Sequence, residues 1–518
     1  MSDVGADRPR RRRAGGRAAN VRGKGAAIKQ LPWSLPENPD KPTEPLDADG
    51  VAAIHNGAMR VLEEIGIEFL HPEALEILKE AGCTVAGENV RMDRDFVMAQ
   101  LALAPNSFTL TPRNPERRIE IGGKRVVFSN VSSPPNCSDL DRGRRAGDRE
   151  SFRDFIKLTQ YFNCMHLAGG YPVEPVDIHP SVRHLDCLHD KLTLTDKVVH
   201  AYSLGKERVE DVMEMVRIVG GLTWAEFEAT PRMYTNINST SPLKHDHPML
   251  DGAMRLARRH QPTIVTPFTL AGAMAPVTIA GAVAQSMAEG LAAIALIQVI
   301  TPGCPVVIGS FTSNVDMKTG APAFGTPEYM RATQVSGQMA RFYGLPLRAS
   351  NACTANYPDA QAAWESAFSL WSALSGGVNV VYHAAGWLEG GLCASYEKFI
   401  MDCETVQQMI AYMQPIGSTE ADIAFDAIKE VGPGGHFFGA QHTQERYETA
   451  FYDPFLSDWS NFENWEEAGA VQTPERANRL WKKILAEFEA PPLDAAIAEE
   501  LAAFVDKRKE EGGAPTDF

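Results

Sequence analysis

Few residue groups in this chain are spaced for chemistry, and most of them are neutral. His245-Asp246-His247 offers two imidazoles and a carboxylate in three positions, the makings of a metal site. The triplet follows Pro242 and precedes Pro248, so it also reads as a loop and helix cap. A metal-dependent hydrolase built on it would need His383 as a further ligand. Cys353 and His383 together would be the minimum for a thiol nucleophile, against the more frequent case of a buried inert thiol. Gly432-Pro433-Gly434-Gly435-His436-Phe437-Phe438-Gly439 has the glycine density of a phosphate cradle but lacks the Lys-Ser/Thr of a nucleotide loop. A tight bend would explain it as well. The sharper set is aromatic: Tyr171, Phe268, Phe311, Phe324, Tyr357, Tyr382 and Trp387. Aromatic faces attract cations, quaternary ammonium groups above all. Two or three of these seven are expected to face a ligand and the rest to pack.

Such residues work only if a scaffold gathers them. Short apolar strand candidates recur near Val126–Ser129, Met165–Gly169, Val198–Tyr202, Met233–Ile237, Thr263–Phe268, Val306–Phe311, Leu347–Ser350 and Val378–Tyr382. Helical runs lie between most of them, at Glu207–Val219, Pro248–Arg259, Val277–Ile300, Thr326–Tyr343 and Ala360–Leu374. Strand–helix alternation predicts a parallel sheet, and eight units predict an α/β fold closed as a (β/α)8 TIM barrel. A doubly wound open sheet is the alternative, but no G-x-G-x-x-G follows the first strand. In a barrel, chemistry gathers at the C-terminal strand ends. Here those ends are polar and aromatic, with no carboxylate pair on neighbouring strands, which disfavours glycosidase-type catalysis.

Around the barrel, expected over 126–415, the chain divides further. Residues 1–45 are basic and then Pro-rich and read as a disordered arm. Residues 46–125 read as a leader with helices at about 46–70, 72–81 and after Asp93-Arg94, then a hairpin of Ser107–Thr111 with Arg118–Phe128. Residues 416–518 form an extension ending in two helices, about 473–488 and 493–509, that wraps the barrel mouth or makes an oligomer contact. Leu270–Phe311 is apolar, but Pro276, Gln285, Glu289, Pro302 and Pro305 interrupt it, so a buried helix and strand are expected rather than a membrane span.

The 518 residues carry a net charge of −16. The first 25 hold eight Lys/Arg against two Asp/Glu, which leaves the remainder at −22. That acidic body argues against nucleic-acid binding and suits a small cation. Eight cysteines without a C-x-x-C pair predict reduced thiols and a cytoplasmic protein. Arg10–Arg13 is followed by Ala14-Gly15-Gly16 and not by an apolar run, so no secretory signal is expected.

Several stretches, in order, resemble the trimethylamine methyltransferase family of corrinoid-dependent enzymes. They are Asp316–Glu328, Gln334–Ser350 ending in Tyr343-Gly344-Leu345-Pro346, Pro358–Ser366, His383–Leu392, and Gly435-His436-Phe437 through His442-Thr443 to Phe462-Glu463. The likeness spans about residues 45–490. It implies a barrel, and methyl transfer from a methylated amine to the cobalt of a separate corrinoid protein. A separate protein is implied because the chain lacks D-x-H-x-x-G: Asp177-Ile178-His179 continues into Pro180. No cofactor is therefore expected on the chain itself. Trimethylamine-specific members carry pyrrolysine in the loop after the seventh strand. The corresponding Cys353-Thr354-Ala355-Asn356-Tyr357 holds standard residues only, so the chain resembles betaine demethylases instead.

A quaternary ammonium leaves as a neutral amine and needs no general acid. The protein has only to orient it and exclude water. No catalytic residue is assigned. The substrate-binding candidates are Tyr171, Asn236, Phe268, Phe311, Arg348, Asn351, Tyr357, His383, Trp387 and Glu389. A betaine carboxylate would seek Arg348 or His383. The alternative roles are a structural ion pair for Arg348 and a packing contact for His383. Glu389 would face the cation or cap the next helix. Asn236, Asn238 and Asn351 would bind substrate oxygens or tie loops together. A homo-oligomer is expected. The rival functions are the metal-dependent hydrolase on His245, His247 and His383, and a non-catalytic quaternary-amine-binding protein.

Overall fold

A computed structural model describes residues 28–516; the Arg10–Arg13 cluster lies outside them. At its centre are eight strands: β1 (Val127–Asn130), β2 (Leu167–Ala168), β3 (Val198–Val199), β4 (Thr235–Ile237), β5 (Thr263–Val265), β6 (Val306–Gly309), β7 (Leu347–Ser350) and β8 (Val380–Ala385). Strands β1 to β3 pair in parallel in order, as do β4 to β8, and β8 returns to pair with β1. A parallel bridge between His200 and Tyr234 joins the ends of β3 and β4. The sheet thus closes, and the fold is a (β/α)8 barrel. The helices that follow the strands are α1 (Arg149–Tyr161), α2 (Pro180–Leu194), α3 (Lys206–Val219), α4 (His247–Arg258), α5 (Ile279–Ile300), α6 (Pro327–Phe342), α7 (Ala360–Ser375) and α8 (Tyr396–Tyr412).

The strands are short and apolar because both of their faces are buried. Val127, Leu167, Val198, Ile264, Val307 and Val380 meet Tyr234 and Tyr382 in one core. The antiparallel hairpin Ser107–Leu110 and Ile119–Gly122 closes this core with Leu110, Ile119 and Ile121. Residues 28–45 run extended across the same end. The Val126 N–H donates to the Pro36 carbonyl at 3.0 Å, the Asn38 N–H to Lys124 at 2.9 Å and the Thr43 N–H to Ser375 at 2.7 Å. Trp33 packs there beneath the Arg117 guanidinium, 4.4 Å from its ring.

Helix α5 is apolar on all sides, and 15 of its 22 residues are buried. It is long and apolar enough to cross a membrane, yet most of it is packed inside the protein. One side lies on the barrel strands, so closely that a Cβ on Gly290 would sit 2.5 Å from Ile308 Cδ1. The leader helices Ala48–Arg60 and Arg94–Leu101 cover the other side. A helix covered on both sides has no polar face.

The first leader helix is shorter than its periodicity predicts. It ends at Arg60, passes through a π turn at Val61–Ile65, and at Gly66 (φ +85°) turns into a strand, Ile67–Phe69. That strand pairs in parallel with Lys244–His245. Ile67 and Phe69 are buried on one face, a period of two that tertiary packing imposes over a helical pattern. At the other end of the chain, Thr473–Ala486 packs on α8 and α1, and Ala495–Glu510 packs on α2 and α3. The terminal helices therefore wrap the outer wall of the barrel.

Candidate functional site

The pairing of β8 with β1 shifts register between Val381 and Ala385. Within that shift His383 has φ +55°, in the left-handed region, which costs an ordinary residue about 1–2 kcal/mol. Bulges of this kind re-aim side chains at barrel rims. Here His383 Nε2 comes to 3.3 Å from Arg348 Nη2 on β7. The Ser132 backbone N–H, beyond β1, donates to His383 Nδ1 at 3.2 Å. Nδ1 must then present its lone pair, so the neutral ring carries its proton on Nε2. Burial, reinforced by the Arg348 charge, holds this imidazole well below the usual histidine range and keeps it neutral. Two donors, Nε2–H and the guanidinium, therefore converge without an acceptor between them.

Arg348 is 2% exposed, and its Nε and Nη1 have no protein acceptor. Apart from His383, its ionisable neighbours are the phenols of Tyr382, Tyr329 and Tyr234. Burial pulls its pKa down to about 10, which still leaves it charged near neutrality. Among the described residues no carboxylate forms an ion pair with it. A buried, unpaired cation is unfavourable, and an anion reaching both Arg348 and His383 would complete the arrangement.

Aromatic rings stand over this pair. The guanidinium carbon lies 5.1 Å from the centre of the Phe311 ring and 4.8 Å from that of Tyr382. Phe311 stacks on Phe324 at 5.3 Å and tilts against Phe268 at 5.0 Å. Trp387 lies 4.2 Å from His383, 6.0 Å from Phe311 and 6.1 Å from Phe324. Trp387 is locked by two reciprocal bonds with Cys353: its indole N–H donates to the Cys353 carbonyl at 3.0 Å, and the thiol donates to the Trp387 carbonyl at 3.0 Å. Burial pushes that thiol up to about 12, so Cys353 holds a wall in place and is not poised as a nucleophile.

The remaining candidates divide. Asn236 accepts from Thr266 Oγ1 at 2.9 Å and donates to Asn238 Oδ1 at 3.2 Å, while Asn238 donates to the Thr266 carbonyl at 2.7 Å. This net ties the ends of β4 and β5. Asn351 donates to the Ala384 carbonyl at 3.0 Å and buries an Oδ1 that no protein group satisfies. Tyr171 packs edge-on to Tyr202 at 4.6 Å, nearer β2. Glu389 pairs with Arg144 at 2.9 Å. Tyr357 stands apart, 53% exposed, in a surface groove with Phe462 and Trp465.

The histidine triplet has other duties. His245 Nε2 lies 2.9 Å from the Glu289 carbonyl, Asp246 caps α4 through the Met249 N–H at 2.9 Å, and His247 stacks on His71 at 4.4 Å. Among the described residues no three His, Cys, Asp or Glu side chains are grouped to hold a metal. Gly432–Gly439 is an exposed bend.

Sequence reasoning missed Ser132, whose main-chain N–H selects the His383 tautomer; a backbone donor leaves no residue-type trace. It also passed over Tyr234, whose hydroxyl accepts from Tyr382 at 3.1 Å, and His200, which accepts the Asn236 N–H at 3.1 Å. Their positions in or beside a two-sided buried strand were the available clue.

The chain is similar to known proteins along most of its length. Residues 12–513 match the family profile described as trimethylamine methyltransferase (MTTB). The chain is 40% identical over 469 residues to a glycine betaine methyltransferase of Desulfitobacterium hafniense (strain Y51), covering 90% of this chain and 98% of that one. It is 31% identical to the trimethylamine methyltransferase MttB of D. hafniense (strain DSM 10664 / DCB-2), covering 89% and 93%. A proline betaine:corrinoid methyltransferase of Eubacterium limosum is 29% identical, covering 86% and 93%. With a matching profile over nearly its whole length, the chain belongs to the trimethylamine methyltransferase family.

Proposed function

We propose that this methyltransferase moves a methyl group from a betaine to the cobalt of a separate corrinoid protein. The unpaired Arg348–His383 donor pair beneath the wall of Phe268, Phe311, Phe324 and Trp387 carries the reading. A betaine joins a carboxylate to a quaternary ammonium within a few bonds. Its carboxylate would take the guanidinium and the Nε2–H, and its methyl groups would lie against aromatic faces. The names of the glycine betaine and proline betaine relatives support the same class.

The corrinoid of the partner protein supplies the methyl acceptor. In Asp177-Ile178-His179 the histidine caps α2, and its Nδ1 sits 2.9 Å from Ser181 Oγ. The chain's own residues hold the carboxylate, shield the ammonium from water and present one methyl outward. As the N–C bond breaks, its electron pair stays on nitrogen, so the amine leaves neutral and no proton has to move. That accounts for a mouth without a general acid. The loop after β7 is itself fastened, with the Thr354 and Ala355 N–H groups donating to Glu365 Oε2 at 2.7 and 3.0 Å. The eight cysteines are buried free thiols, which suits a reducing cytoplasm. We place the enzyme there as an assembly of identical copies.

A thermal-shift panel tests the substrate. Glycine betaine, proline betaine or carnitine at about 100 times its dissociation constant should stabilise the fold by about 2.7 kcal/mol. Choline and trimethylamine, which lack the carboxylate, should shift it far less. Equal shifts with choline and a betaine would overturn the carboxylate assignment.

A further inference from the structure

Between Met413 and Phe451 the chain leaves the barrel and comes back. It departs from the end of α8 at Tyr412, whose ring lies 5.4 Å from Trp371 on α7. It returns where Glu404 of α8 accepts from the Tyr452 hydroxyl and from the Phe455 and Leu456 N–H groups, each at 3.1 Å. The excursion is ordered, with short helices at Glu420–Ile423, Phe425–Val431 and Gln441–Arg446. Yet almost all of it is exposed: Ile416, Phe425, Ile428, Phe438 and Phe451 all face outward, Phe438 at 81% and Phe451 at 83%. Its hydrogen bonds include local ones such as Thr419 with Asp422 and Gln444 with the Phe438 carbonyl. A segment that buries so little on its own copy has little there to offset the entropy of being ordered.

The same chain carries a second uncovered apolar surface. Trp364, Phe368 and Trp371 follow each other at helical spacing along α7, and all three are exposed. The root of the excursion touches this stripe through the Tyr412–Trp371 contact. We propose that two copies of this chain exchange excursions, residues 414–451 of each lying on the α7 stripe of the other.

Two arguments select a second copy as the occupant. An arm and a receiving stripe on one chain, rooted side by side, complete each other reciprocally under a two-fold axis and leave neither exposed. A corrinoid protein, by contrast, must dock and depart with every turnover. Contacts of that kind are no more apolar than ordinary surface, whereas permanent ones are. Only this second argument rests on the proposed function.

The test uses the full chain without substrate or corrinoid protein, so its outcome is independent of the methyl-transfer reading. Light scattering on the wild type should give at least twice the 56.6 kDa chain mass. An arm variant (Phe437→Asp, Phe438→Asp, Phe451→Asp) and a stripe variant (Trp364→Lys, Phe368→Lys, Trp371→Lys) should each fall to the single-chain mass while keeping a cooperative melt. Mixing the two should restore a pair, because each pair keeps one intact arm on one intact stripe. In parallel, a Phe438→Cys chain and a Phe368→Cys chain with different tags should form a disulfide between copies; this readout stands even if the triple variants fold poorly. A single-chain wild type, variants that keep the wild-type mass, or Phe438→Cys and Phe368→Cys chains that form no disulfide with each other would each overturn the proposal.

Discussion

Arg348 is costly to the empty protein and useful to the loaded one. It is a buried charge with two unpartnered nitrogens, neighboured by phenols instead of carboxylates. Replacing even a buried ion pair by apolar side chains of similar volume is often neutral or stabilising, by up to about 4 kcal/mol, and Arg348 lacks a carboxylate partner altogether. Arg348→Met should therefore raise the melting temperature of the ligand-free protein. It should also abolish the betaine-induced shift, since charge-assisted hydrogen bonds contribute about 1.5–3 kcal/mol each. Calorimetry of both proteins with and without betaine checks this, and a variant that melts lower and still binds would reverse the assignment. Three buried histidines make a second prediction. Burial holds His166 down to about 3, and holds His200 and His383 well below the usual value. Below about pH 6.5 the unfolded chain takes up protons that the folded chain refuses. Stability is then complete above that pH and falls as the pH drops, by up to about 1.4 kcal/mol per unit for each histidine. Urea midpoints at pH 7 and pH 5 should show the loss, and His166→Asn should flatten the slope.

At the scale of elements, the loop from β4 to α4 is held from beneath by a single side chain. Glu289 of α5 accepts from Ser241 Oγ at 2.6 Å, from the Leu243 N–H at 2.9 Å, from Gln285 Nε2 at 2.8 Å and from Ser239 Oγ. Glu289→Ala would strand the buried Ser239 hydroxyl, at about 1–3 kcal/mol, and leave three half-buried donors without their acceptor. Amide exchange should speed up over residues 239–245 while the Ser107–Gly122 hairpin stays protected; equal exchange in both would show a global effect instead. In the sequence Glu289 is merely a polar break in an apolar run, which sufficed to argue against a membrane span and not to reveal its partners. The elements themselves were far more legible. All eight strand candidates and the five named helices appear, with boundaries shifted by a few residues, because burial on two faces or on one stripe leaves a period in the residues. The stretch Val61–Phe69 was not legible, since its helical period is overridden by pairing with Lys244–His245.

For the whole molecule, α5 links the leader to the barrel. A chain beginning after Leu101 would expose the outer side of this apolar helix, and such patches drive aggregation. It should be recovered insoluble, whereas the full chain is expected to melt cooperatively; a soluble, cooperatively melting truncation would show that the leader is dispensable. By itself the sequence determined the closed barrel, the buried α5, the acidic body and the family, because each follows from periodicity, composition or ordered motifs spread along the chain. Only the tertiary structure decided which polar groups meet. It brought His383 to Arg348 through a bulge, assigned the imidazole proton through a backbone N–H of Ser132, paired Glu389 with Arg144 and left Tyr357 in a distant groove. Contacts between strand ends depend on register, main-chain direction and rotamer, and none of these repeats along the chain in a way that residue spacing can record.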